Sequence, residues 1–124
     1  MKREVVGKVD EIQSGGRKLI TPWKGLAGIG VFNIDGEFYA LRNLCPHKLG
    51  PLCVGQVSGR AIASAQGGGI QFEKEGEVIR CPWHLWEFDI KTGQCLTDPK
   101  VQVKTYPVGI AGAALFIECE EREP

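Results

Sequence analysis

The stretch Cys81-Pro82-Trp83-His84 and the shorter Cys45-Pro46-His47 upstream of it contain both histidines of this 124-residue chain. Each histidine follows a Cys-Pro pair closely. Thiolate sulfur and imidazole nitrogen suit zinc or iron, and they disfavour the hard cations calcium and magnesium. The two stretches therefore predict a metal centre, with the candidate ligands Cys45, His47, Cys81 and His84.

Two kinds of metal centre fit this ligand set. A structural zinc site usually places a cysteine pair before a histidine pair around a short helix. Here each stretch offers one cysteine and one histidine, and no helical period lies behind them. If the cysteines bind one iron and the histidines bind another, each stretch spans both metals, as in a Rieske [2Fe–2S] cluster. A zinc-stabilised binding module stays open as the alternative.

The residues around the second stretch extend the pattern. His84 is followed by Leu85-Trp86-Glu87-Phe88-Asp89 and then by Thr92-Gly93, and the whole resembles the Rieske ferredoxins and related Rieske domains. The resemblance implies a [2Fe–2S] cofactor and a third loop that shields it, for which Thr97-Asp98-Pro99 is the best match. The chain departs from the family in one respect, since the 33 residues between His47 and Cys81 are about twice the usual number.

The remaining sequence predicts an all-β fold in which the first and last strands share a core. Short β-rich runs are broken by Gly, Pro and Asp, and the pair Asp35-Gly36 suits a type I′ hairpin turn. In Val101–Tyr106 the alternation predicts that Val101, Val103 and Thr105 lie on one face. We expect strands at 4–11, 17–21, 28–34, 37–42, 70–73, 77–80, 87–90, 101–106 and 113–119.

The resemblance also implies how a single Rieske domain, residues 1–124, is organised. Residues 1–41 and 97–124 would form an antiparallel base domain, and about 42–96 would form an inserted cluster-binding subdomain. The extra segment is about 60–76. Its Gly67-Gly68-Gly69 run between two short apolar runs predicts an added hairpin at the edge of the subdomain.

Cysteines and aromatic residues outside the ligand set have simpler interpretations. Cys53, Cys95 and Cys119 are expected to be core thiols, with extra ligands or a disulfide pair as alternatives. Trp83 and Trp86 lie in or beside the second stretch, and we expect them to keep water away from the irons.

Composition restricts the function. Lys plus Arg (15) cancel Asp plus Glu (15), which leaves no global basic field for nucleic acid or an anionic membrane. There is no apolar run of membrane-spanning length and no signal-peptide pattern, so we expect a mature cytoplasmic protein. An odd number of cysteines in a reducing compartment points to ligands or buried thiols.

A Rieske cluster accepts one electron, so the function depends on which proteins exchange that electron. Oxygenases of this kind add a large domain with a second iron, but both histidines are already used and only 28 residues follow Leu96. We therefore expect an electron carrier with no substrate chemistry of its own. By resemblance it would connect a flavin-dependent reductase to a terminal oxygenase. The alternative is a small redox subunit of an assimilatory nitrite reductase-type enzyme.

The resemblance carries an expectation for the reduction potential as well. High-potential Rieske proteins have a second cysteine in each ligand loop, together with a Ser and a Tyr whose hydroxyls donate to cluster sulfur. At these positions the chain has Gly50, Trp83, Trp86 and Phe88. The sequence therefore predicts a potential near the low end of the Rieske range.

Overall fold

A computed structural model of the chain describes residues 2–21, 28–46, 50–63, 70–82 and 86–119, without the side chains of Lys2, 60–63 and 70–75. Within these residues the secondary structure consists of strands and two short 3₁₀ turns, Val9–Glu11 and Leu52–Val54. The expectation of an all-β fold is confirmed. The strands are β1 (Lys2–Lys8), β2 (Arg17–Ile20), β3 (Ile29–Ile34), β4 (Glu37–Arg42), β5 (Gln56–Ala63), β6 (Ile70–Arg80), β7 (Glu87–Asp89), β8 (Thr105–Tyr106), β9 (Val108–Ala111) and β10 (Ala114–Cys119).

The strands form three antiparallel sheets. The first has the order β1-β10-β9, the second β2-β3-β4-β8 and the third β5-β6-β7. In the first sheet Lys2 lies opposite Cys119 and Lys8 lies opposite Ala114, so the two ends of the described chain pair with each other. The third sheet contains the strands that lead into and out of the Cys81 stretch.

The turn between β3 and β4 has the predicted geometry. Asp35 and Gly36 both have positive φ, 52° and 90°, and Ile34 pairs with Glu37 across them. Positive φ at both central residues defines a type I′ turn, whose twist matches that of the flanking strands. The Asn33 side chain supports the turn, because its Oδ1 accepts a hydrogen bond from the N–H of Gly36 at 2.8 Å.

Buried side chains divide into two hydrophobic cores. One of them, called the second core below, lies between the first two sheets. It includes Val6 of β1 with Leu115 and Ile117 of β10, which confirms that the first and last strands share a core. The first core lies between the second and third sheets. Its members are Phe32, Ile34, Leu41, Cys45, Leu52, Cys53, Ile79, Cys81, Phe88, Ile90, Cys95 and Val103.

The prediction of a strand over 101–106 is wrong in its length and in which residues it places on the buried face. Only Thr105–Tyr106 is a strand, and Thr105 is exposed while Tyr106 is buried. Val101 and Val103 instead follow the loop around Gly93, where the N–H of Val103 donates to the Gly93 carbonyl at 2.9 Å. The segment then crosses to β4 of the second sheet, so the buried face changes partway along it.

The region between the two candidate ligand stretches contains more strand than expected. β5 was not expected from the sequence, and the two short strands predicted at 70–73 and 77–80 are one strand, β6. β5 and β6 pair from Gln56–Arg80 to Ala63–Ile70, with an irregularity between Ser58 and Arg60. The described parts of the extra segment thus pair with each other as antiparallel strands, as a hairpin requires, and the Gly67-Gly68-Gly69 run lies outside the described residues.

The first strand ends earlier than expected. β1 stops at Lys8 and continues as the 3₁₀ turn, because the Glu11 carboxylate accepts a hydrogen bond from the N–H of Lys8 at 2.9 Å. Among the described residues, no helix is long and apolar enough to cross a membrane.

Candidate metal centre

The first candidate ligand loop begins at Cys45, shortly after β4 ends. The N–H of Cys45 donates to the carbonyl of Gly50 at 2.7 Å, which closes the loop on itself. Cys45 has no solvent exposure. A backbone hydrogen bond at the mouth of a loop limits the conformations of the residues inside it.

The second loop begins at Cys81, directly after β6, and is closed in the same way. The N–H of Cys81 donates to the carbonyl of Trp86 at 2.8 Å, and Cys81 also has no solvent exposure. In both loops the cysteine N–H donates a hydrogen bond to the carbonyl of the residue five positions later. The two loops are therefore equivalent in closure, although their sequences differ.

The two thiols belong to the same hydrophobic core, whereas His47 and His84 lie outside the described residues. Among the residues that the structure does describe, no three of His, Cys, Asp or Glu are grouped as a metal site. In sequence each histidine lies inside one of the closed loops. Two thiols in one nonpolar core suit an iron centre that needs two soft, anionic ligands shielded from water.

A short turn after the first loop lies between the two loops. The 3₁₀ turn Leu52–Val54 ends at Gly55, and a methyl group added at Gly55 would overlap the carbonyl oxygen of Arg80. Arg80 immediately precedes Cys81. The turn that follows the first loop therefore packs directly against the strand end that starts the second loop.

This turn is held at its middle residue, Cys53, and at Gly55 by side chains from elsewhere in the chain. Asn43 Oδ1 accepts a hydrogen bond from the N–H of Cys53 at 2.8 Å. The Arg17 guanidinium donates from Nη1 to the carbonyls of Cys53 at 2.8 Å and Gly55 at 2.6 Å. The sequence does not reveal these contacts, because Arg17 lies 36 and 38 positions from its two partners and belongs to no motif.

The mouth of the second loop is joined to the predicted third loop. Arg80 and Glu87 face each other across β6 and β7, with 3.3 Å between Nη2 and Oε2. The N–H of Glu87 donates to Thr97 Oγ1 at 3.1 Å, and the N–H of Asp98 donates to Cys95 Sγ at 3.3 Å. The segment Thr97-Asp98-Pro99 is therefore held beside the second ligand loop.

The remaining cysteines are core thiols, as predicted. All five cysteines lie in the described part of the chain, all are buried, and none of them forms a disulfide. Burial raises the pKa of the Cys53 thiol to about 12, against smaller opposing effects from the Gly30 backbone and the Arg17 charge. Cys53 is thus a neutral packing residue at physiological pH.

A recess of about 200 Å³ lies where the end of the 3₁₀ turn meets the start of the second loop. Trp86 is half-buried against the first core and Trp83 lies outside the described residues, so their shielding of the irons stays a prediction. The recess is lined by Val54, Gly55, Gln56, Arg80, Cys81 and Pro82.

Comparison with known proteins gives consistent results. The family model for the Rieske [2Fe-2S] domain matches residues 2–107. The 3-phenylpropionate/cinnamic acid dioxygenase ferredoxin subunit of Escherichia coli (strain K12) is 32% identical over 100 residues, which cover 77% of this chain and 76% of that protein. The protein of Shigella flexneri serotype 5b (strain 8401) with the same name is also 32% identical over 100 residues, with the same coverage of both chains.

Solved structures agree with the sequence relatives. The Sphingomonas yanoikuyae B1 ferredoxin superposes with a TM-score of 0.69 at 27% identity, over 96% of this chain and 100% of that one. A chain from the complex of reduced oxygenase and oxidized ferredoxin in carbazole 1,9a-dioxygenase shares the fold, with a TM-score of 0.72 at 21% identity over 98% of this chain and 97% of that one.

These findings define a small iron–sulfur electron-transfer protein. The chain belongs to the Rieske [2Fe–2S] domain family. Its cofactor is a Rieske-type [2Fe–2S] cluster, so the zinc alternative is not supported. Its function is that of a one-electron carrier of the ferredoxin type.

Proposed function

We propose that Cys45, His47, Cys81 and His84 are the complete ligand set of the cluster. The observation that carries this proposal is the pair of equivalent closed loops, each starting at a buried cysteine of the same core. One histidine lies within each loop in sequence. The two cysteines would bind one iron and the two histidines the other.

The cluster, when bound, takes up and releases one electron. The protein's own residues hold the ligands and exclude water. Cys45 and Cys81 are fixed by their backbone hydrogen bonds, and the buried side chains of Leu52 and Phe88 pack in the same core. A preorganised, dry site lowers the reorganisation that accompanies a change of charge, which favours rapid electron exchange.

We also propose the division of the chain into a base domain, 1–41 with 97–124, and a cluster-binding subdomain of about 42–96. The sheet topology supports it, because β5, β6 and β7 pair among themselves while β1, β9 and β10 form a separate sheet. Segment 60–76 belongs to the subdomain.

In this proposal the electron comes from a flavin-dependent reductase and goes to a terminal oxygenase. The names of the ferredoxin-subunit relatives support a dioxygenase system as the setting. We place the protein in the cytoplasm, since five buried thiols without a disulfide are typical of a reducing compartment.

The ligand set is tested by serine substitution. Cys45→Ser and Cys81→Ser are each expected to abolish the visible absorption of the cluster, whereas Cys53→Ser, Cys95→Ser and Cys119→Ser should keep it. The last three are matched controls, because all five cysteines are buried. Loss of colour from any of those controls would contradict the assignment.

The electron-transfer role is tested with purified partners. The protein should bleach with dithionite, recover in air, and support substrate turnover when mixed with a flavin reductase and a terminal oxygenase of the dioxygenase type. Cys81→Ser protein is the control for direct transfer between the two enzymes. Turnover at the same rate with wild type and with the control would contradict the role.

A further inference from the structure

Arg17 stands apart from the ligand loops in sequence but contacts the turn between them. It lies at the start of β2, in the second sheet, and its Nη1 donates to the carbonyls of Cys53 and Gly55 at 2.8 and 2.6 Å. Both hydrogen bonds involve a charged donor and are therefore among the stronger ones in proteins. In the described part of the chain its hydrogen-bond partners are carbonyls and no carboxylate.

The contacted turn connects the two loops mechanically. Its first half is held by Asn43, two residues before Cys45, and its last residue, Gly55, packs on the carbonyl of Arg80, next to Cys81. A displacement of the turn would therefore change the spacing between the two cysteines. Because one nitrogen, Nη1, holds the carbonyls of Cys53 and Gly55 at once, it fixes these two positions relative to each other.

The charge of Arg17 has a second consequence. A Rieske cluster with two thiolates and two neutral imidazoles is uncharged when oxidised and carries one negative charge when reduced. Arg17 is exposed, but its two hydrogen bonds hold the positive charge beside the turn that joins the ligand loops, where it stabilises the negative state more than the neutral one and is screened by added salt. Arg17 should therefore raise the midpoint potential.

We propose that Arg17 is a positioning residue for the iron–sulfur cluster: its guanidinium holds the turn between the two ligand loops, and its charge favours the reduced protein. This inference rests on the proposed ligand set. That set has its own test in the cysteine substitutions, so a failure of one proposal can be distinguished from a failure of the other.

The experiment compares Arg17→Met, which removes the charge and both hydrogen bonds, with Arg17→Lys, which keeps the charge on a side chain that ends one bond short of the Nη1 position and so cannot hold both carbonyls at the same distances. Midpoint potential and the rate of cluster loss to an iron chelator are measured on the whole holo-protein. Arg17→Met should have a lower midpoint and lose its cluster about tenfold faster. Arg17→Lys should keep the wild-type midpoint but also lose its cluster faster.

Lys18→Met is the matched control. Lys18 is the next residue of β2 and bonds instead to the carbonyl of Val6 and the carboxylate of Glu11, on the side of the first sheet. This variant removes one charge and two contacts as well, and it should leave midpoint and cluster loss unchanged.

An unchanged midpoint in Arg17→Met would overturn the proposal, because a residue that only stabilises the fold would give that result. The same conclusion follows if Lys18→Met lowers the midpoint equally. If Arg17→Met fails to assemble the cluster, Arg17→Lys decides the matter. Either a lowered midpoint or a wild-type rate of cluster loss in that variant would overturn the proposal.

Discussion

Gly30 shows how a single residue of the base sheet affects packing beside the metal centre. It lies in β3, and a β-carbon built on it would be 2.6 Å from both Cβ and Sγ of Cys53. Real side chains do not approach so closely, and Cys53 has no solvent-exposed surface through which to move away. The absence of a side chain at Gly30 is therefore what allows Cys53 to pack against the sheet.

We predict that Gly30→Ala lowers the free energy of unfolding by about 1–3 kcal/mol, the usual cost of overpacking a core. Cys53→Ala removes the sulfur but keeps the β-carbon, so the penalty of Gly30→Ala should be smaller in that background. Denaturant unfolding of the two single variants and the double variant measures this coupling. Strict additivity would show that the two residues do not meet.

The Cys53 thiol gives a prediction for alkaline pH. Its pKa is raised to about 12 in the folded protein, so between roughly pH 9 and pH 12 the unfolded chain loses this proton while the folded chain keeps it. The stabilisation is complete below pH 9 and is lost as pH rises, by about 1.4 kcal/mol per pH unit. Between pH 8 and 11 the free energy of unfolding, measured with denaturant at each pH, should therefore decrease less steeply for Cys53→Ala than for wild type.

At the scale of strands, the sequence predicts elements that depend on local chemistry. Asp35-Gly36 determines its turn by backbone preference alone, and the paired Cys-Pro motifs identify the loops. β5 was missed because Ser58, Gly59 and Arg60 have weak strand preference, and it forms only by pairing with β6. The phase error at Thr105 arises because the chain changes sheets there, which no local periodicity encodes.

The β5–β6 hairpin gives a prediction at this scale. Among the described residues, a third strand covers only the end nearest the ligand loops, where β7 pairs with Val78, Ile79 and Arg80 of β6. Replacing residues 60–76 by an Asn-Gly turn should therefore leave the visible spectrum unchanged while it alters the rate of transfer to the partner oxygenase. A folded variant without cluster would instead show that the hairpin supports cluster assembly.

At the scale of the molecule, the site depends on contacts between distant parts of the chain. Ligand identities could be proposed from sequence because cysteine and histidine chemistry is specific and their spacing is short. The supports at Arg17 and Asn43 could not, because ordinary polar residues acquire these roles only when the sheets are assembled. Partner proteins are likewise proposed from relatives rather than from the residues themselves.

Phe88 gives the prediction for the reduction potential. It is fully buried in the core that holds Cys45 and Cys81, and the family resemblance matches it to the hydroxyl donor of high-potential Rieske proteins. We expect a midpoint below about +150 mV at neutral pH. Phe88→Tyr should raise it as the hydroxyl donates to a cluster sulfur.

Protein-film voltammetry measures this change. Phe116→Tyr, on β10 of the remote first sheet, is the control and should leave the midpoint unchanged. Without a hydrogen-bond partner, the new buried hydroxyl would cost about 1–3 kcal/mol of stability. A midpoint unchanged by Phe88→Tyr, together with a lower melting temperature, would therefore show that the hydroxyl does not reach sulfur.

Closure of the two ligand loops through main-chain atoms has an evolutionary consequence. The bonds from Cys45 to Gly50 and from Cys81 to Trp86 use N–H and carbonyl groups that every non-proline residue carries. Mutations at the carbonyl positions, Gly50 and Trp86, that keep the backbone path therefore preserve the loop, whereas Cys45 and Cys81 are needed as the proposed ligands. Selection can therefore change the side chains at positions 50 and 86, and so adapt the carrier to a new donor or acceptor, while the fold is kept.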